Sequence, residues 1–144
     1  MDRPVTRIGL LTGGGDAPGL NAVIRAVVLS AERLGWECVG IRDGFNGLLS
    51  PEQCTGPPVL RLTANDVHGI AHLGGTILGS SNHGNPLRFP VRGADGGMTE
   101  VDRSDEVIAL CGEHQFEALV IVGGDGSMGI ANQLHQKGLR VIGV

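Results

Sequence analysis

The chain has 144 residues, 41% hydrophobic and 18% charged, which is enough apolar surface for one ordinary domain and carries no signature of disorder. Its net charge of −4, with Lys137 the only lysine, argues against a nucleic-acid partner, which needs a basic face. No apolar stretch approaches the roughly 18 residues of a membrane span. Met1-Asp2-Arg3-Pro4 lacks the apolar region of a signal peptide, and three widely spaced cysteines suit a reduced, cytoplasmic setting.

The segment Arg7–Thr12 is a short apolar run closed by Gly13-Gly14-Gly15 and reads as a buried strand. From 20 to 34 the apolar residues Leu20, Val23, Ile24, Val27, Val28 and Ala31 recur at helical spacing, and Gly35 supplies the stop. Glu37–Ile41 is a second strand, so the chain opens on a strand, loop, helix and strand of a parallel α/β sheet. Residues 43–58 are turn-rich and irregular. The pattern predicts a short helix over 65–73, capped by Thr63 or Asn65, and a strand over 76–80 followed by a polar loop, 81–97. A helix is expected over 104–114, interrupted at Gly112. Ala118–Val122 is the strongest strand signal, 127–137 is the next helix, ended by Gly138, and 141–144 opens another strand.

The fold class is therefore α/β: a mostly parallel sheet with flanking helices, Rossmann-like and three-layered, with no repeat or linker to divide it. Ligands of open α/β sheets bind beyond the carboxyl ends of the strands. A chain whose final apolar run ends at such an edge is expected to be a fragment, natural or engineered, that lacks part of its own site.

Two glycine-rich loops follow two strands and precede two helices: Thr12-Gly13-Gly14-Gly15-Asp16-Ala17-Pro18-Gly19 and Gly123-Gly124-Asp125-Gly126-Ser127. Glycines let the backbone run against a phosphate, and a helix N-terminus points free N–H groups and a positive dipole end at it. Each loop holds one aspartate, and a carboxylate beside a polyphosphate is repulsive unless a cation lies between them. Mg²⁺ takes one or two carboxylates plus phosphate oxygens, which makes Asp125 the metal-ligand candidate. The bland alternative is a pair of strand-to-helix turns with glycines for geometry alone. Gly124 to Gly129 also satisfies GxGxxG, the dinucleotide fingerprint, although Pro18 spoils the pattern in the first loop and no loop ends in the Gly-Lys-Ser/Thr of a Walker motif.

At these loops the sequence resembles the 6-phosphofructokinases. IGLLTGGGDAPGLNAVIR over 8–25 is similar to the family's opening and VGGDGS over 122–127 to its second nucleotide loop, with Asp43-Gly44-Phe45 and 74–80 (GGTILGS) in the family's order between them. The resemblance runs from about Ile8 to Val144. It implies phosphoryl transfer from MgATP to fructose 6-phosphate in glycolysis, in an enzyme that is a homo-oligomer, a tetramer by analogy. It also implies that the amide of Gly14 meets the nucleotide phosphates and that Phe45 lies near the adenine. Asp125 would hold Mg²⁺, with Gly124, Gly126 and Ser127 in the phosphate cradle. Pyrophosphate-using relatives carry Asp at the position of Gly126, so glycine there favours ATP; a pyrophosphate donor is the alternative.

The sequence departs from the family's common pattern after Ser80, where Ser81-Asn82-His83-Gly84-Asn85-Pro86 stands in place of an Arg and an aromatic. Asn82 remains a nucleotide candidate, His83 sits where a mixed ATP and pyrophosphate subgroup often has Arg, and Leu29 replaces an effector-pocket Arg. By the same resemblance the catalytic base belongs to a Thr-Ile-Asp-Asn-Asp loop past Val144. The 144 residues are accordingly expected to bind nucleotide phosphates but to lack kinase activity alone. A non-catalytic nucleotide-binding module and an NAD-binding Rossmann domain are the other readings.

Smaller signals read as structural. His68 and His72, four apart on the predicted 65–73 helix, lack the acidic residue of HExxH between them and read as surface residues. His114 and His135 read as solvated helix positions, Trp36 as packing, and Arg88 and Arg92 as solvated flanks of the polar loop.

Overall fold

The computed structural model describes residues 6–15 and 17–144. The predicted strands are present as β1 (Arg7–Thr12), β2 (Glu37–Ile41), β6 (Ala118–Val122) and β7 (Val141–Gly143), and the long helices as α1 (Leu20–Arg33), α3 (Ser104–Glu113) and α4 (Asp125–Gln136). One five-stranded sheet runs β3-β2-β1-β6-β7, where β3 is Val59–Leu62. Its pairs are parallel except β2 with β3.

Alternation along the strands splits the core in two. Leu10, Cys38, Ala118 and Val120 pack toward α1 with Leu20, Ile24, Val28 and Ala31. Leu11, Val39, Ile41, Leu119 and Ile121 face the other way, onto Val107 and Cys111 of α3 and Ile130, Ala131 and Leu134 of α4. Leu10, Leu11, Leu119 and Ile121 are wholly buried. Burial on both faces is why these strands read as continuous apolar runs rather than alternating ones. It also pushes the Cys38 thiol up to about 12 and the Cys111 thiol up to about 11, so neither ionises at neutral pH.

Several expectations need correction. Residues 65–73 form turns, not a helix: the Asp66 carboxylate accepts the Thr63 N–H (2.7 Å) and hydroxyl (2.8 Å), and Gly69 at φ 72° turns the chain away. Residues 76–80 are not a strand, because their backbone groups bond to side chains of β1 and α1 instead of a ladder. Gly112 does not interrupt α3, which runs through it to Glu113. The irregular 43–58 region holds a short helix, α2 (Asn46–Leu49), and a 3-10 turn at Pro51–Gln53. The polar loop gives rise to a hairpin of β4 (Phe89–Arg92) and β5 (Met98–Val101), closed by Arg88–Glu100 at 2.8 Å and by Arg103 over the Phe89 ring. His68 and His72 accordingly lie on turns, not on a helix, and both are exposed. Among the described residues, no three His, Cys, Asp or Glu side chains gather as a metal cluster, and no helix is long and apolar enough to cross a membrane.

Among the described residues, three carboxylates carry depressed pKa values. Asp66 is lowered by the Thr63 N–H and hydroxyl, Asp102 by the Ser104 hydroxyl and N–H, and Glu106 by the Arg103 guanidinium. Their folded values lie below the unfolded ones, so their contribution is complete above about pH 4.5 and is lost as pH falls through the folded values. The thermal midpoint is expected to be level from pH 7 to about 5 and to fall below about pH 4. Circular-dichroism melts check this, and the fall should shrink in the Asp66→Asn, Asp102→Asn double variant.

Candidate functional site: a glycine-lined cleft at the sheet's switch point

From β1 the chain crosses by α1 to β2 on one side; from β6 it crosses by α4 to β7 on the other. The strand order therefore reverses between β1 and β6, and the carboxyl ends of these two strands frame the crevice where open α/β sheets bind ligands. Thr12 and Val122, the last residues of the two strands, are register partners, and the Gly13 N–H donates to the Val122 carbonyl at 2.8 Å. Both glycine loops leave from this point.

The loops are packed as only glycine permits. A Cβ at Gly13 would stand 2.7 Å from Ser127 Oγ, and one at Gly123 would stand 2.8 Å from the Gly13 carbonyl oxygen. Gly14, at φ 78°, turns through the left-handed region that L side chains rarely adopt. Helix α4 begins two residues earlier than the sequence pattern indicates, so Asp125, Gly126 and Ser127 are its first three residues. Gly124 caps it without a side-chain hydrogen bond. The first helical bond in this turn is Met128 N–H to the Gly124 carbonyl, 3.0 Å. The N–H groups of residues 125–127 thus have no partner within the helix and stand at its positive end. Ser127 is buried at 7% exposure with its hydroxyl against Gly13 and Gly123, whereas Gly124, Asp125 and Gly126 are exposed.

A cleft of about 160 Å³ opens here, lined in part by Gly13, Gly14, Phe45, Asn82, Gly126 and Ser127. Of the residues named from sequence, Gly14, Phe45, Asn82, Gly126 and Ser127 meet on this cleft, with Gly124 and Asp125 at the start of the helix beside it. Phe45 is 5% exposed and packs in the core with Leu48 and Leu49, so it forms floor rather than a free ring. Asp16 lies outside the described residues.

Gly44, Gly84 and Ile130 also line the cleft and were not singled out. Gly84 is explained by Asn46, whose Oδ1 would stand 2.5 Å from a Cβ there. Nothing local in the sequence signals that contact. Arg88 is held by Glu100, and with His83 borders a separate pocket of about 320 Å³ beside the hairpin.

A larger cavity, about 850 Å³, lies at the opposite edge among Arg7, Glu37, Gln115, Phe116 and Arg140. It sits at the amino ends of β1 and β2, mixes both signs of charge, and has no helix N-terminus directed into it. On those grounds the smaller cleft is the candidate site.

Two glycine turns, a helix N-terminus without a side-chain cap and the exposed carboxylate of Asp125 thus meet at the switch point of an α/β domain whose sheet is mostly parallel. The chain belongs to the phosphofructokinase family, whose family model matches residues 7–144. It is 48% identical over 138 residues to an ATP-dependent 6-phosphofructokinase of Chloroflexus aggregans, covering 96% of this chain and 36% of that protein. It is 43% identical over 139 residues to a pyrophosphate–fructose 6-phosphate 1-phosphotransferase of Amycolatopsis mediterranei, again covering 96% of this chain and 36% of that protein. The crystal structure of Pichia pastoris phosphofructokinase in the T-state superposes with a TM-score of 0.74 at 27% identity, covering 99% of this chain and 14% of that one. The 144 residues thus span little more than a third of the length of the curated relatives they match.

Proposed function

We propose that these residues form the phosphoryl-donor half of a 6-phosphofructokinase that transfers phosphate from MgATP to fructose 6-phosphate. The observation that carries this reading is the convergence of Gly13, Gly14 and, from the first turn of α4, Gly126 and Ser127 on one cleft. The backbone amides of Gly14, Gly126 and Ser127 bind and orient the donor phosphates, and the Ser127 hydroxyl closes the cradle between the loops. Asp125, an exposed carboxylate on the first residue of α4, fits as a Mg²⁺ ligand whose remaining positions go to phosphate oxygens and water. Mg²⁺, when bound, neutralises charge on the phosphates. In this reading the acceptor sugar and the proton acceptor for its hydroxyl are handled by the part of the relatives that this chain does not match.

ATP is the favoured donor. Nothing stands within 4 Å of the Cβ position of Gly126, so the cleft stays open where a longer polyphosphate continues. The Amycolatopsis relative, named for a pyrophosphate donor, supports the second reading. Calorimetric titration of MgATP and of Mg-pyrophosphate into the 144-residue chain separates them. Tighter MgATP binding is expected, tighter pyrophosphate binding would reverse the choice of donor, and binding of neither by the folded chain would sink the proposal.

A further inference from the structure

The segment 73–80 delivers Ser81, Asn82 and Gly84 to the cleft, yet it is neither helix nor strand. Gly75 and Gly79 both sit in the left-handed region, at φ 73° and 72°, and glycines give a segment little shape of its own. Its outer side borders a cavity of about 510 Å³, so packing from outside does not fix it either. What fixes it is a set of side-chain bonds from elements far away in sequence.

The chief of these comes from Asn21, in the first turn of α1 and 2% exposed. Every polar group of its amide is directed at the segment. Nδ2 donates to the Leu73 and Gly74 carbonyls, each at 3.2 Å, and Oδ1 accepts the Ile77 N–H at 2.8 Å. Thr12, at the end of β1, holds the other end. Its hydroxyl donates to the Gly79 carbonyl at 2.8 Å and so accepts from the Thr76 hydroxyl at 2.9 Å, while Thr76 Oγ1 accepts the Leu78 N–H at 3.2 Å. Leu78 is wholly buried, and its carbonyl accepts the Asp43 N–H at 2.8 Å.

We infer that Asn21 is a positioning residue for the phosphoryl donor: it holds 73–80 in the one conformation that places Ser81 and Asn82 on the rim of the cleft. Asn21 itself touches none of the cleft. Its action runs through the segment, and the inference rests on the donor reading given above. Truncating it leaves the Ile77 N–H and two carbonyls without their partner, and the segment relaxes toward other shapes open to its glycines.

The test compares Asn21→Ala with Val28→Ala, which truncates a wholly buried side chain two turns along the same helix. In the 144-residue chain, Asn21→Ala is expected to speed hydrogen exchange of the Ser81 and Asn82 amides and to weaken MgATP by about tenfold. Val28→Ala, although it also lowers the melting temperature, is expected to leave that exchange unchanged and affinity within about twofold. Unchanged exchange and affinity in Asn21→Ala would overturn the inference, as would a Val28→Ala variant with the same two losses. If Asn21→Ala does not fold, Thr76→Val removes the hydroxyl between Thr12 and Leu78 and is expected to give both losses; wild-type behaviour there also overturns it. A wild-type chain that binds neither MgATP nor Mg-pyrophosphate sinks the donor reading. The inference then stands or falls on the exchange of Ser81 and Asn82.

Discussion

Gly123→Ala is expected to destabilise the chain by about 1–3 kcal/mol and to remove measurable MgATP binding, because the added methyl has no room in a packed turn. Its Cβ would lie 2.7 Å from Ser127 Cβ and 2.8 Å from the Gly13 carbonyl oxygen, and a third close approach would be to the Ser127 hydroxyl. The carbonyl is the decisive neighbour, since backbone cannot swing aside as a side chain can. Relief requires β1 and β6 to part at their carboxyl ends, where the Gly13 N–H to Val122 bond of 2.8 Å joins them. The loss is thus structural and functional at once. Gly129→Ala is the control: it lies in α4, just past this loop, with nothing within 4 Å of its Cβ position, and is expected to be neutral or slightly stabilising, as alanine in a helix interior usually is. Urea denaturation and calorimetry on both variants check this pair.

The second large effect belongs to Asp125, and its diagnostic is a change of sign. With Mg²⁺ present, Asp125→Ala is expected to weaken ATP by about tenfold or more, since the exposed carboxylate is the one charged group at this helix start. With Mg²⁺ removed by chelator, the same variant should bind ATP more tightly than wild type, because a negative charge beside the phosphates is gone. A substitution that merely loosened α4 would weaken both. Some loosening does accompany it, because an aspartate in the first turn stabilises a helix by ~0.3–1 kcal/mol. Opposite signs in the two titrations establish the metal role; parallel losses exclude it.

How far the sequence reveals this site depends on where each part finds its partners. β1, β2 and β6 are legible because both faces are buried, and β1 and β6 run straight into glycine. The two glycine loops are legible because a left-handed turn at Gly14 and a close approach at Gly123 both favour glycine. The segment 76–80 misleads, since Leu78 is buried as a plug against Gly40 of β2 and its neighbours' backbone is satisfied by Thr12 and Asn21. The partners of those bonds are 56 to 67 positions apart, beyond any local pattern. Strand β3 is hidden by its brevity and by the Pro57-Pro58 pair before it. The hairpin is hidden by its exposure, every residue of β5 facing solvent. Phe45 shows a subtler gap: it reaches the cleft, as its place after Asp43-Gly44 suggests, but as part of the core. No spacing rule distinguishes a ring that stacks on a ligand from one that floors the site.

The central claim is that the glycine cleft at the β1–β6 switch point, and not the larger cavity at the opposite edge, receives the donor phosphates. Tracking backbone amides by ¹H–¹⁵N correlation spectra during a MgATP titration tests it most directly. The largest shifts are expected at Gly14, Gly126 and Ser127, with smaller ones at Asn82, and none at Gln115 or Arg140. Shifts centred on Gln115, Phe116 and Arg140, with the glycine loops silent, would contradict it.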